Sequence, residues 1–129
     1  MMKVAKLVLI DQDDQYLMLY RHNHPTFGDD ADIPGGIVEA GETPEEGVIR
    51  EVQEEIGVTL TKIEKVYAGT EFSLHGTHKS LYVARVAERP VIDLSWEHKS
   101  YEWIPRNDFL QKAAAAQDYF MHVAAKVLQ

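Results

Sequence analysis

The sequence predicts an α/β fold in which helices cover both faces of a mixed β-sheet, an α/β sandwich. Three features favour it: apolar runs of strand length, an amphipathic helix in the first half of the chain, and a second amphipathic helix at its end. The chain has 129 residues, of which 45% are hydrophobic and 26% are charged. These values are typical of one globular domain with a substantial core, so residues 1–129 are interpreted as a single domain.

The strands are predicted from apolar and alternating runs that polar turns separate. Residues 3–10 and 16–20 should form a hairpin, and a polar loop follows at 21–31. Residues 100–104 should form an edge strand that ends at Pro105, because proline cannot donate a hydrogen bond to a neighbouring strand. The remaining predicted strands are 32–33, 37–39, 58–72 with a turn near 62–65, and 79–87.

A second helix is predicted at the end of the chain, over residues 113–128. Its apolar residues recur at the helical period and should form one buried stripe. The residues of this stripe are Ala116, Tyr119, Phe120, Val123 and Val127.

The helix in the first half of the chain has well-marked ends. Thr43 is a candidate N-cap, Pro44 suits the first helical position, and Glu46 lies three residues after Thr43, as a capping box requires. Gly57 suits the C-terminal stop. The signals at both ends therefore predict the same helix.

Three glutamates, Glu51, Glu54 and Glu55, lie along one side of this helix and form its acidic edge. With about 100° of rotation per residue, Glu55 lies at about 40° from Glu51 and Glu54 at about 300°. The three carboxylates thus share an arc of roughly 100°, beside an apolar stripe that includes Val48, Val52 and Ile56. Carboxylates this close repel one another unless a cation neutralises them, and oxygen ligands suit Mg²⁺ first and Mn²⁺ second.

Residues 36–58 resemble the Nudix box, G-x5-E-x7-R-E-U-x-E-E-x-G-U, where U is a bulky aliphatic residue. Every specified position is matched without a gap. The matching residues are Gly36, Glu42, Arg50, Glu51, Val52, Glu54, Glu55, Gly57 and Val58. The order of the predicted elements is also similar to that of the Nudix family, so the resemblance covers most of the chain.

The resemblance implies a Nudix-type α/β/α sandwich and a magnesium-dependent hydrolase of a nucleoside diphosphate linked to another group. It also implies that Glu51, Glu54 and Glu55 are metal ligands, together with the Gly36 carbonyl. By the same resemblance, Arg50 and Glu42 orient the ligands. Arg50 lies four residues before Glu54, a spacing that lets the two side chains pair on a helix.

Outside the box, Glu97 is the most interesting acid. Many Nudix members have an additional glutamate in a loop of this neighbourhood, as a metal ligand or general base. An exposed loop acid is the competing interpretation, and Glu102 is the alternate candidate. The candidate catalytic residues are Glu51, Glu54, Arg50 and Glu97, and either Glu54 or Glu97 could be the base.

Three residues are candidates for substrate binding. Phe27 and Trp96 both fall in predicted loops, where an aromatic ring could stack on a base. Arg21 begins the polar loop at 21–31 and is grouped with them. Tyr82 and Trp103 could also stack, although aromatic residues in strands more often belong to the core.

Charge and composition restrict the partners. A net charge of −8 without a basic patch argues against a nucleic-acid polymer, whereas bound divalent ions would allow a small phosphate-bearing substrate. No apolar run reaches membrane-spanning length, and the chain has no cysteine, which excludes disulfides and fits a cytoplasmic location. Either a monomer or a homodimer is compatible with these features.

The favoured function is Mg²⁺-dependent hydrolysis of a nucleoside triphosphate, ordinary or oxidised, to the monophosphate and pyrophosphate. The proline that marks ADP-ribose hydrolases of this family, about fifteen residues after the box, is absent near Gly76. Hydrolysis of nucleotide sugars or of other dinucleotides is the first alternative. A nucleotide-binding module without turnover is the second, and an isoprenoid-diphosphate isomerase fits poorly because its relatives use a catalytic cysteine.

Overall fold

Seven strands within the described residues form one mixed sheet in the computed structural model, which describes residues 1–22, 30–71 and 76–129. The strands are β1 Met2–Ile10, β2 Gln15–Arg21, β3 Ala31–Asp32, β4 Gly35–Ile37, β5 Glu64–Glu71, β6 Thr77–Arg85 and β7 His98–Pro105. Three helices accompany them in the same part of the chain: α1 Pro44–Ile56, α2 Arg106–Ala115 and α3 Tyr119–Val127.

Strand β1 organises the sheet. It runs parallel to β6 along its whole length and antiparallel to β2 and β4, so the predicted mixed sheet is confirmed. Strand β4 pairs with the first half of β1, through Val4 to Lys6, whereas β2 pairs with its last residue, Ile10. Strand β7 pairs with β2 and, within the described residues, with no other strand, as predicted for an edge.

The side chains of β1 point alternately to the two faces of the sheet and therefore belong to two separate cores. Leu7 and Leu9 pack with the apolar stripe of α1, while Val8 and Ile10 pack with α2 and α3. All four are almost completely buried. Helices therefore lie on both faces of the sheet, which confirms the predicted α/β/α sandwich.

Helix α1 begins and ends where the sequence predicts. The Thr43 hydroxyl accepts a hydrogen bond from the Glu46 N–H, and the Glu46 carboxylate accepts one from the Thr43 N–H. Gly57 ends the helix in the left-handed conformation, with φ of 70°. The caps fix the ends of the helix, and the packing of Val48, Val52 and Ile56 on the sheet sets the direction of its acidic edge.

The prediction of one helix over residues 113–128 is wrong, because the chain forms α2 and α3 with a break between them. Ala116 is extended, and the Gln117 N–H donates to Asp30 Oδ1. Asp118 then caps α3 by accepting from the Phe120 N–H. The break changes the face on which Tyr119 falls, so this side chain is exposed instead of buried.

The other members of the predicted stripe lie toward the core. Ala116 and Phe120 are buried, and Val123 and Val127 are half-buried.

Two predicted strands have different bounds in the structure. Strand β4 consists of Gly35–Ile37, so it contains the two glycines that were expected to precede it. The strand predicted at 58–72 begins only at Glu64, within the region 62–65 where a turn was expected, and ends at Glu71. No helix within the described ranges is long and apolar enough to cross a membrane.

Candidate active site

Arg50 binds the acidic edge of α1. Its Nη1 donates to one carboxylate oxygen of Glu51 and one of Glu54, each at 3.1 Å. Its Nε and Nη2 donate to the two carboxylate oxygens of Glu42, at 3.2 and 2.8 Å. The predicted pairing of Arg50 with Glu54 is thus present, and the same guanidinium also connects the helix to the loop before it.

Glu42 is held from several directions. Besides Arg50, the Glu39 N–H donates to its Oε1 at 2.8 Å. A Cβ at Gly47 would lie 2.8 Å from that oxygen, so glycine is needed for this close approach. The hydrogen bonds from Arg50 hold the pKa of Glu42 below its usual range.

The glycine pair of β4 lies against the acidic helix. The Gly35 N–H donates to Glu55 Oε2 at 2.7 Å. Gly35 has a φ of 142°, and a Cβ there would lie 2.3 Å from the Ala5 carbonyl oxygen, so no other residue fits. A Cβ at Gly36 would lie 3.0 Å from Glu51 Oε1, which shows how closely this carboxylate approaches the strand.

Burial and the neighbouring carboxylates raise the pKa values of two of the acidic groups. Burial raises the pKa of Glu55 to about 8, with further contributions from the charges of Glu97 and Glu51. Burial also raises the pKa of Glu51, and the charges of Glu54 and Glu97 add to this effect. Glu97 is therefore close enough to interact with the helix, although it lies 42 residues after Glu55 in the sequence.

The donor set fits a hard divalent cation in its chemistry. The carboxylates of Glu51, Glu54, Glu55 and Glu97 and the carbonyl of Gly36 are all oxygen donors, which Mg²⁺ and Mn²⁺ prefer. Burial first, and the neighbouring carboxylates second, raise the pKa values of Glu51 and Glu55, and a bound cation would favour their charged forms. Within the described ranges, no three Asp, Glu or His side chains already converge on one metal position. Two of the candidate ligands instead accept from Arg50.

A pocket of about 600 Å³ adjoins this acidic edge. Its wall includes Gly36, Glu55 and Glu97 from the predicted metal site, and Arg21 and Trp96 from the predicted substrate residues. The Trp96 side chain lies at the rim and is 83% exposed. Five of the predicted residues therefore share one opening, whereas Glu51 and Glu54 lie on the neighbouring surface of α1, outside the lining of the pocket.

The opposite wall of the pocket carries an ionic network that the sequence did not reveal. Asp32 is its centre and accepts from Lys6 Nζ at 2.6 Å, His98 Nε2 at 2.9 Å and Arg21 Nε at 3.1 Å. Asp118 Oδ2 lies 3.0 Å from Arg21 Nη2 and 3.4 Å from Lys6 Nζ. Arg21 therefore lies on the pocket wall, but its guanidinium is already bound to two carboxylates.

The network changes the proton affinities of its members. Burial alone would raise the pKa of Asp32, but Lys6, His98 and Arg21 hold it well below its usual range. Burial alone would lower the pKa of Lys6, but Asp32 and Asp118 raise it. The feature of the sequence that could have indicated this network is Lys6, which faces inward in the apolar strand β1. A buried lysine requires a carboxylate partner.

The remaining candidates lie elsewhere. Phe27 falls outside the described residues. Glu102, the alternate to Glu97, accepts from the Tyr20 hydroxyl and lies 3.7 Å from Lys112 Nζ. Tyr82 is buried in the core, and the half-buried Trp103 packs against the same core.

Comparison with known proteins places this geometry in a family. A family model described as "NUDIX domain" matches residues 2–123, which is nearly the whole chain. Among solved structures, the MutT protein from Methanosarcina mazei Go1 is similar, with a TM-score of 0.72 and 26% identity. That similarity covers 98% of this chain and 91% of the other.

Two curated proteins are similar over shorter stretches. An ADP-ribose pyrophosphatase of Methanocaldococcus jannaschii is 48% identical over 50 residues, which are 39% of this chain and 29% of that protein. An 8-oxo-dGTP diphosphatase of Escherichia coli K12 is 33% identical over 58 residues, 45% of each protein. The chain thus spans less than half the length of each of these two curated relatives.

Proposed function

We propose that this chain, which belongs to the Nudix family of hydrolases, cleaves a pyrophosphate linkage in a nucleoside diphosphate derivative with the help of Mg²⁺. The favoured substrate is a nucleoside triphosphate, ordinary or oxidised, and the products are the monophosphate and pyrophosphate. The observation that carries the proposal is the acidic edge of α1, which adjoins a pocket of about 600 Å³.

Nudix enzymes generally use divalent metal ions. In this chain Glu51, Glu54, Glu55, Glu97 and the Gly36 carbonyl would hold Mg²⁺, for which Mn²⁺ could substitute. When bound, the ions supply positive charge that offsets the charge of the phosphates and favours ionisation of water.

The residues of the chain perform the proton transfer and the positioning. Glu54 or Glu97 takes a proton from the attacking water while the water oxygen forms a bond to one phosphorus. The bridging P–O bond breaks, and the leaving oxygen keeps the electron pair. Arg50 keeps the carboxylates of Glu51 and Glu54 in one orientation through its two hydrogen bonds at 3.1 Å.

The pocket offers a place for the rest of the substrate. Trp96 lies at its rim with an exposed ring that can stack on a base. Arg21 lines the pocket and, with Phe27, completes the proposed substrate-binding set.

Relatives support two substrate classes. The names of the two curated proteins mention a damaged nucleoside triphosphate and a nucleotide sugar, 8-oxo-dGTP and ADP-ribose. A panel of triphosphates, nucleotide sugars and dinucleotides, compared by kcat/KM with Mg²⁺, separates these classes. The highest kcat/KM should belong to a triphosphate, with pyrophosphate rather than orthophosphate released.

The chemical role of the acidic edge is tested by Glu54→Gln. This change keeps the size of the side chain but removes the negative charge, so kcat should fall at least about 100-fold. Glu45→Gln is the matched control, because Glu45 is exposed in the first turn of the same helix. Near-normal turnover of Glu54→Gln would contradict the assigned role. Nucleotide binding without any hydrolysis by the unaltered chain would instead indicate a binding module.

A further inference from the structure

We propose that His98 is a positioning residue that holds the segment Trp96–Glu97 at the acidic edge of α1. It does so through the hydrogen bond between its Nε2 and Asp32 Oδ2, at 2.9 Å. The inference rests on the role of Glu97 in the proposed function. It adds His98, which lies outside the Nudix box, to the residues on which turnover depends.

Glu97 needs support from elsewhere, because it lies in the connection between β6 and β7 and its side chain is exposed. On the N-terminal side, the Ser95 N–H donates to the Glu55 carbonyl oxygen at 2.9 Å. The Asp93 N–H donates to the Ile56 carbonyl oxygen at the same distance. The connection is thus fixed to the end of α1 shortly before Glu97.

On the C-terminal side, the next residue is His98, whose side chain is only 2% exposed. A carboxylate oxygen can only accept a hydrogen bond, so Nε2 carries the hydrogen and donates to Asp32. The backbone of His98 is opposite Arg21, where a bulge between Tyr20 and Arg21 shifts the register of β2 and β7. The side-chain hydrogen bond therefore fixes the strand end where the regular ladder is interrupted.

Asp32 is a rigid anchor for this hydrogen bond. It is buried, and its oxygens also accept from Lys6 at 2.6 Å and Arg21 at 3.1 Å. Removing Asp32 would leave the buried Lys6 ammonium without its closest partner. Removing the imidazole of His98 leaves Asp32 with both cations, so His98 can be changed without breaking the ionic network.

A second histidine holds the segment on the other side of Glu97. His22 Nε2 donates to the carbonyl oxygen of Trp96 at 2.8 Å. Trp96, directly before Glu97, is thus held by the imidazole of His22 at the surface. His98, directly after Glu97, is held through its own imidazole in the interior. Because a displacement of about 1 Å can reduce turnover about 100-fold, this double attachment matters for a carboxylate acting on water or metal.

The test compares His98→Leu, which removes the donor, with His98→Gln, whose amide can donate from nearly the same place. Both are made alone and combined with Glu97→Gln. Turnover with Mg²⁺ and a nucleoside triphosphate is measured together with amide hydrogen exchange at Ser95. Phe109→Leu is the control for general destabilisation, since Phe109 is a buried residue of α2 and belongs to a different core cluster from the apolar stripe of α1.

His98→Leu should lower kcat about tenfold and His98→Gln should restore most of it. In the Glu97→Gln background His98→Leu should cause less than a twofold further loss, because its effect passes through Glu97. Exchange at the Ser95 amide should accelerate in His98→Leu and not in Phe109→Leu. If His98→Leu does not fold, His98→Asn, whose shorter amide cannot donate to Asp32 from the same place, gives the same comparison. His22→Ala tests the second attachment and should also lose its effect in the Glu97→Gln background.

Two results would overturn the inference in different ways. A full tenfold loss by His98→Leu in the Glu97→Gln background, or unchanged Ser95 exchange in His98→Leu, would show that His98 does not act through Glu97. The proposed function would stand in that case. Wild-type turnover by Glu97→Gln alone would remove both the role of Glu97 in the proposed function and the positioning role of His98.

Discussion

At the scale of single residues, Arg50 shows how one side chain can order an acidic site. Its guanidinium donates to Glu42, Glu51 and Glu54, so it joins two turns of α1 to the preceding loop. Only a planar group with several fixed donors can do this, because each carboxylate lies in a different direction. The geometry favours an orienting function over an isolated surface ion pair.

Replacing Arg50 by lysine should therefore lower kcat/KM about 10- to 100-fold, as loss of an orienting partner does in metal sites. Lysine keeps the charge but cannot reach three carboxylates at once. Steady-state kinetics with Mg²⁺ measures the effect. Arg85→Lys is the control, because Arg85 pairs with Asp14 at the surface. A kcat/KM of Arg50→Lys within twofold of that of the unaltered chain would show that a positive charge at this position is sufficient for turnover.

At the scale of elements, α1 presents the acidic edge, so its stability and its rotation both matter. The predicted caps are present because every signal for them lies within the fifteen residues from Thr43 to Gly57. Thr43 and Glu46 exchange two hydrogen bonds, which fixes the first turn. The start of the helix thus depends on two hydrogen bonds between residues close together in the sequence.

Thr43→Ala should lower the free energy of unfolding by about 1 kcal/mol, because the Glu46 N–H loses its acceptor. Thr43→Ser keeps the hydroxyl, so its free energy of unfolding should remain within a few tenths of a kcal/mol of that of the unaltered chain. Urea denaturation followed by circular dichroism measures both. Equal losses in the two variants would contradict the capping interpretation.

The break between α2 and α3 could not be predicted in this way. Ala113 to Ala116 favour a helix locally, and Gln117 carries no strong signal against one. The break is stabilised by distant partners: Asp30 accepts from the Gln117 N–H, and Asp118 pairs with Lys6 and Arg21. Tertiary contacts therefore override helix propensity here, and the exposure of Tyr119 follows.

At the scale of the whole molecule, the site joins segments that are far apart in the sequence. The Nudix box predicted the acidic edge and the fold, because that motif is contiguous. The opposite wall of the pocket brings Lys6, Asp32, His98 and Asp118 together across separations of up to 112 residues. No local pattern specifies such a set, and the inward position of Lys6 could at most have indicated that a carboxylate partner is needed.

Stability should depend on pH through Asp32. Its pKa is lower in the folded chain than the value of about 3.9 in an unfolded one, so the unfolded state binds more protons in acid. Its contribution is therefore present above about pH 4 and lost as the pH falls further. Asp32→Asn should destabilise the chain by about 3–5 kcal/mol at pH 7, because buried Lys6 loses its partner.

The difference in the free energy of unfolding between Asp32→Asn and the unaltered chain should shrink as the pH falls from 5 to 2. Urea unfolding at several pH values measures it. Asp14→Asn is the control, since Asp14 is exposed and its pair with Arg85 lies at the surface. A difference that stays constant with pH would contradict the assigned role of the Asp32 carboxylate.

The most direct test of the central claim is calorimetric titration of the chain with Mg²⁺ and Mn²⁺, with and without a non-hydrolysable nucleotide. The acidic edge of α1 should take up divalent ions, and Glu51→Gln combined with Glu54→Gln should abolish most of the binding heat while the fold persists. Glu45→Gln should bind as the unaltered chain does. Absence of any uptake by the unaltered chain, with nucleotide present or absent, would contradict the claim that these carboxylates hold the catalytic metal.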